Sequence, residues 1–294
     1  MGGAKGGAMR EAKRGPSVDR NIIQMALVFS GDGVIIRLKP RSALRPFETH
    51  ESGDRVTAAY SILQIISVLV FTLLFGLSAM LLSPFNPSGR LVHWFARWWA
   101  RTLLWVGRVP VRLEGLDNIP GEQPCVLVSN HASAADIPIL FGSLPIQFRI
   151  IAKDSLFHIP VLGWCMRLAG YISINRTNPK KAMRSLKKAA RQIRDGFPAV
   201  VFPEGTRTRT GELQPFKAGA FLLAIESGVP VVPVGISGSF DILVRGSMKI
   251  RPDARVAVRI GRPIATEGYT TKDRRGLAEQ AREAVEECLR QEGR

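Results

Sequence analysis

The chain has 294 residues, 46% of them hydrophobic, which suffices for one sizeable core plus an appendage. Its 41 Lys and Arg against 24 Asp and Glu leave a net charge of +17, which points to a polyanionic partner surface, either nucleic acid or anionic lipid. Three widely spaced cysteines, Cys125, Cys165 and Cys288, exclude a disulfide framework, His50, His93 and His158 lack metal-ligand spacing, and no glycine-rich nucleotide fingerprint is present, so neither metal nor nucleotide cofactor is expected.

In chain order, residues 1–55 read as a separate basic extension. Met1 to Arg14, rich in Gly, Ala, Lys and Arg, is expected to be disordered, while Asn21 to Phe29 and Val34 to Leu38 are short apolar runs that can form a local hairpin or dock on the main domain. Residues 56–107 follow as a membrane-embedded and interfacial helix pair. No residue from Val56 to Gly89 is charged, and Tyr60 to Leu82 is mostly Leu, Ile, Val, Phe and Ala, interrupted by Ser61, Gln64, Ser67, Thr72 and Ser78. Spanning a bilayer takes about 20 apolar residues, so this stretch is long enough, and it starts too far in for an ordinary signal peptide. It selects lipid over nucleic acid as the anionic partner. Leu91 to Trp105 then gathers four of the five Trp with Arg97 and Arg101, the composition of an interfacial helix; the alternative is an aromatic core helix of the following domain. Arginines flank both ends of the apolar stretch, so the charge bias leaves open whether it crosses the membrane or lies in one leaflet.

From 108 to 294 the pattern alternates strand and helix. Strands are predicted over Val109–Glu114, Val126–Ser129, Phe148–Ala152, Tyr171–Ile174, Ala199–Phe202, Val231–Ile236 and Val256–Ile260. Asn178-Pro179 opens a helix whose apolar face is Met183, Leu186, Ala190 and Ile193 and whose other face carries seven Lys and Arg. Phe216–Ser227 and Gly276–Leu289 are further helices. The expected fold is α/β, a single sheet flanked by helices and preceded by the helix pair.

Two loops carry chemistry. Ser129-Asn130-His131-Ala132-Ser133-Ala134-Ala135-Asp136 leaves the strand ending at Ser129, where α/β sheets place ligands. An imidazole beside a carboxylate that fixes its tautomer suits deprotonation of an alcohol near neutral pH. Positions five apart lie roughly 140° apart around a helix, so the pair meets only if the segment begins as a loop. Otherwise it is a surface pair. Ala199 to Phe202 runs into Pro203-Glu204-Gly205-Thr206-Arg207, a turn whose Gly admits a ligand to the backbone and whose Arg207 offers a planar fork for phosphate, with Arg209 and Lys217 close behind; a solvated basic turn is the bland counterpart.

Four blocks in order, Asn130-His131 with Asp136, Gly170-Tyr171-Ile172-Ser173-Ile174-Asn175-Arg176, Phe202-Pro203-Glu204-Gly205-Thr206-Arg207 and Val229-Pro230-Val231-Val232-Pro233-Val234-Gly235, resemble those of the glycerolipid acyltransferase family, specifically its 1-acylglycerol-3-phosphate acyltransferases. The resemblance implies that His131 is the general base on the free glycerol hydroxyl of a lysophospholipid, held by Asp136, and that the hydroxyl attacks an acyl thioester without a covalent acyl-enzyme. It assigns Arg176, Glu204, Gly205, Thr206 and Arg207 to the acceptor's phosphate. Glu204 cannot attract phosphate itself; it can order Arg207, take backbone N–H groups or contact the glycerol hydroxyl. Lys217 resembles a family lysine near the site. Asn175 stands where an acidic residue is frequent and Thr208 where Ser is frequent, which weakens inference about the head group. The implied partners are membrane phospholipid and lysophospholipid, with acyl-CoA or acyl carrier protein as co-substrate, no cofactor, no metal and no nucleic acid, and the catalytic domain is expected on the cytoplasmic face of a membrane. Rivals are an acyltransferase for another lysolipid, such as lysophosphatidylethanolamine or a lyso-ornithine lipid, a hydrolase using Ser129 or Ser133, and a noncatalytic basic membrane-binding protein.

Overall fold

Short apolar runs bounded by Pro, Gly or Asn become the strands of one seven-stranded sheet. The computed structural model describes residues 23–30, 33–40, 51–121, 123–174, 179–251 and 254–290, with backbone only over 23–57 and 179–182. Contacts divide the chain into two units, 1–47 and 48–294. In the first, β1 (Ile23–Ser30) and β2 (Gly33–Pro40) pair antiparallel, the local hairpin that the two apolar runs allow. The disorder expected of Met1 to Arg14 lies outside the described residues.

The second unit opens with α1 (Glu51–Leu82) and α2 (Arg90–Val106). The sheet follows, built from β3 (Val111–Glu114), β4 (Val126–Ser129), β5 (Arg149–Lys153), β6 (Ile172–Ile174), β7 (Ala199–Val201), β8 (Val231–Ser237) and β9 (Val256–Ile260). Their spatial order is β3-β9-β8-β4-β7-β5-β6. Every neighbouring pair is parallel except β8 with β9. The short strands match the sequence reading within one or two residues at each end.

Side-chain alternation divides the core between the two faces of the sheet. Leu127, Ile150 and Val200 pack under Ala96, Trp99, Ala100 and Leu104 of α2 and under α3 (Asp136–Ser143). Their neighbours Val126, Val128, Ile151, Ala199 and Val201 point the other way, onto α5 (Pro179–Arg194), α6 (Leu222–Ser227) and α8 (Arg274–Arg290).

Three helices depart from the sequence reading. The turn-like stretch after His131 becomes α3 at Asp136, with Pro138 in its first turn, where no N–H donor is needed. Leu162–Leu168 forms α4, and Ser239–Ile242 a single-turn α7. Conversely, the helix predicted over Phe216–Ser227 is regular only from Leu222; Ala218–Ala220 is a tighter 3-10 turn, so Lys217 stays in extended backbone before it.

Helices α1 and α2 form an antiparallel pair on the α3 side of the sheet. Within the apolar stretch Ala58–Phe85 an 18-residue window reaches a mean hydropathy of 2.6 with only 11% of it buried, so it is not a core helix. Its polar residues face inward: Tyr60 donates to the Gly107 carbonyl at 2.7 Å, Gln64 Nε2 to the Val106 carbonyl at 3.1 Å, and Trp99 Nε1 of α2 to Thr72 Oγ1 at 3.1 Å. The opposite side, including Ile62, Leu63, Ile66, Leu69, Leu73 and Leu77, is exposed. The Trp-rich α2 combines both sequence readings, packing on the core through Ala100 and Leu103 while Trp94 and Trp105 remain exposed.

Candidate active site

Strand β4 is central, and its C-terminal end lies level with that of its parallel neighbour β7, while β8, level with it at Val234, runs on to Ser237. The two chemistry-bearing loops leave the sheet there, side by side. After Ser129 the backbone stops being extended and stays irregular to Ala135, which supplies the loop that the five-residue spacing requires. Buried Asn130 sets that loop's exit: its Nδ2 donates to the Ile236 carbonyl at 2.9 Å and its Oδ1 accepts the Ile236 N–H at 2.8 Å, so one amide ties the end of β4 to β8. His131 then lies over Phe202, ring centroids 4.1 Å apart and nearly parallel.

Asp136, fully buried at the start of α3, faces back into the loop. Its Oδ2 lies 2.8 Å from His131 Nδ1 and accepts the backbone N–H groups of Ala132 and Ser133, each at 2.9 Å. An oxygen already accepting two amides requires the ring proton on Nδ1, which leaves Nε2 with its lone pair. The His131 side chain is 19% exposed against 0% for Asp136, so the imidazole reaches solvent and its carboxylate partner does not.

The turn after β7 is locked onto the same loop. Glu204 Oε1 accepts the His131 backbone N–H at 2.7 Å, and the Thr208 N–H donates to the His131 carbonyl at 3.0 Å. Of the three roles open to Glu204 from sequence, the geometry realises the backbone N–H one. Burial pushes the Glu204 carboxyl up to about 7, the nearby Asp136 charge adds to the rise, and the hydrogen bond from His131 opposes it.

Gly205 sits at φ +75°, and a Cβ there would come within 2.6 Å of Lys217 Nζ, so glycine serves both conformation and space. The same contact places Lys217, an exposed side chain, on the turn. Thr206 is exposed and Arg207 half-buried. Thus His131, Asp136, Glu204, Gly205, Thr206, Arg207 and Lys217 share the C-terminal edge of β4 and β7, whereas Arg176 lies outside the described residues. Phe202 entered the sequence reading as a strand residue and the head of the third block, with no role of its own, and Arg245, 38 positions from Arg207, carried no sequence signal yet donates to the Arg207 carbonyl at 2.9 Å. The serines of the hydrolase alternative are buried and donate elsewhere, Ser129 Oγ to the Asn130 carbonyl and Ser133 Oγ to that of Leu243.

Comparison with known proteins agrees with this arrangement. The profile of the Acyltransferase family matches residues 110–237, which include both loops. A Saccharomyces cerevisiae 1-acyl-sn-glycerol-3-phosphate acyltransferase is 34% identical over 224 residues, 74% of this chain and 73% of the yeast protein. The chain belongs to the 1-acyl-sn-glycerol-3-phosphate acyltransferase family. A chloroplastic member from Brassica napus is 35% identical over 67% of this chain and one from Arabidopsis thaliana 38% identical over 61%; the matches span 60% and 51% of those longer proteins. Among solved structures, the 1-acyl-sn-glycerophosphate acyltransferase PlsC of Thermotoga maritima superposes with a TM-score of 0.70 at 25% identity, covering 82% of this chain and 99% of that one. The α/β sheet with its preceding helix pair is therefore the acyltransferase fold.

Proposed function

We propose that this acyltransferase esterifies the sn-2 hydroxyl of a membrane-borne 1-acylglycerol 3-phosphate with a fatty acyl group from a thioester, giving phosphatidic acid and a free thiol. The observation that carries the reading is the His131–Asp136 pair at the end of the central strand, with the Glu204 turn hydrogen-bonded to the His131 backbone.

In this scheme His131 Nε2 takes the hydroxyl proton as the oxygen attacks the thioester carbonyl carbon. The tetrahedral intermediate collapses with cleavage of the carbon–sulfur bond, and the imidazolium returns the proton to the departing thiolate. Asp136 keeps Nε2 toward the substrate and stabilises the imidazolium. Arg207, Lys217 and the turn at Gly205 and Thr206 receive the acceptor's phosphate, with Arg176 as a further phosphate ligand; an arginine fork and a mobile ammonium are the residue types that recognise such a group. Glu204 positions the His131 loop. The thioester is a co-substrate, and the scheme uses no metal and no prosthetic group.

The outward apolar face of α1 supports a seat in the membrane. A helix whose polar side is hydrogen-bonded to its own domain along most of its length exposes only one side to lipid, which favours insertion into one leaflet over crossing. Free thiols at Cys125, Cys165 and Cys288 suit a reducing, cytoplasmic face.

The test supplies the detergent-purified protein with acyl-CoA and lysophosphatidic acid in competition with lysophosphatidylethanolamine and a lyso-ornithine lipid, and identifies the product. Phosphatidic acid acylated at sn-2 as the main product supports the reading. Preferential acylation of a competitor keeps the chemistry and moves the acceptor.

A further inference from the structure

Helix α5 carries Lys180, Lys181, Arg184, Lys187, Lys188, Arg191 and Arg194 and no acidic residue. Its inner side, Leu186, Ala189 and Ile193, packs on the sheet and α6. The side chains of Arg184, Lys187, Lys188 and Arg191 are exposed, and no ion pair engages them among the described residues. Met183, 40% exposed, borders this face one turn before Lys187 and adds an adaptable apolar contact. Four unneutralised cations bordered by a methionine have the chemistry to receive a folded acidic protein.

The fold separates this face from the lipid. Residues Ala96, Trp99 and Leu104 of α2 cover one face of the sheet, and α1 lies outside them. Leu186, Ala189 and Ile193 of α5 cover the other. With the apolar side of α1 in a bilayer, the basic side of α5 is turned toward water. The helix also begins at the same end of the sheet as the chemistry. It follows the outermost strand β6, which runs parallel to β5, β7 and β4, so the chain leaves β6 for Pro179 at the C-terminal end from which the His131 and Glu204 loops leave, with β5 between β6 and β7.

We propose that the basic face of α5 docks acyl carrier protein, whose surface is acidic and which presents its acyl thioester on a flexible arm, and so delivers donor from the aqueous side while the acceptor arrives from the membrane. The proposal rests on the transferase reading and names the donor for the same site.

The test compares kcat/KM for a long-chain acyl carrier protein and for the corresponding acyl-CoA, with lysophosphatidic acid saturating, in the native chain and in the triple variant Arg184→Glu, Lys188→Glu, Arg191→Glu. Charge reversal at a steering surface is expected to lower kcat/KM about 30-fold with the carrier protein and at most about 3-fold with acyl-CoA. Cosedimentation with phosphatidylglycerol vesicles is expected to stay unchanged. Equal losses with both donors, or loss of vesicle binding in place of a donor-selective effect, overturn the proposal. If the triple variant does not fold, Lys188→Gln and a salt titration of the native protein decide it: transfer from the carrier protein must fall with Lys188→Gln and fall more steeply with salt than transfer from acyl-CoA. A native chain that uses acyl-CoA but not acyl carrier protein overturns the docking proposal alone. One that uses neither donor overturns the transferase reading beneath it.

Discussion

Two carboxyl groups organise the site at the residue scale. Asp136 Oδ2 organises one imidazole nitrogen and two backbone amides, so Asp136→Asn disturbs the tautomer and the loop together. Its kcat is expected to fall by about 10² or more, with the KM for lysophosphatidic acid changing much less, as steady-state kinetics will show. Glu204 gives a pH-dependent prediction. Its carboxyl ionises near 4.5 in an unfolded chain but near 7 in the fold, so between those values the folded state alone holds the proton. Stability therefore declines as pH rises from 4.5 to 7, and the loss is complete above the folded value. Glu204→Gln keeps an oxygen acceptor for the His131 amide and removes this titration. Its melting temperature is expected to fall less than that of the native chain between pH 5 and pH 8, and an identical decline in both contradicts the assigned environment. At this scale the His131–Asp136 pair was legible because both residues sit in one short loop. The role of Glu204 was not, since its partner is a backbone N–H 73 positions away, and neither spacing nor composition marks such a bond. Arg245 was illegible for the same reason.

Helix α1 shows at the element scale how a sequence pattern acquires meaning only from a docking partner. Ser61, Gln64, Ser67 and Thr72 read as interruptions of an apolar run, yet they mark the side that faces protein, while the unbroken leucines mark the side left outside. Replacing Leu69 and Leu73 by Asp is expected to abolish cosedimentation with phospholipid vesicles, because charge in the apolar face opposes insertion. Activity on detergent-dispersed substrate is expected to stay within about threefold, since both side chains lie on the exposed side of α1. Gln64→Leu is expected to behave oppositely, retaining vesicle binding and losing about 1 kcal/mol in thermal or chemical melts through the orphaned Val106 carbonyl. Strands were legible because each is a short apolar run with a breaker at its end. Helices α3 and α4 were not: both are short, with seven or eight residues that give too few turns for a helical period to stand out.

For the whole molecule, the sheet separates two helix layers. Parallel β4 and β7 bring the His131 loop and the Glu204 turn to one edge, α1 and α2 cover one face, and α5 covers the other. The α/β class and the helix pair were legible from alternating runs and one long uncharged stretch, whereas the strand order was not, because β9 inserts between β8, to which it is antiparallel, and β3, a parallel partner far away in sequence. In the proposed reaction His131 acts as the base for acyl transfer to lysophosphatidic acid. The measurement that reaches it most directly is the initial rate of phosphatidic acid formation by the native protein and by His131→Ala, each shown by melting to be folded. Loss of a general base predicts a fall in kcat of about 10² or more with lysophosphatidic acid binding retained. A folded His131→Ala variant turning over at the native rate contradicts the account.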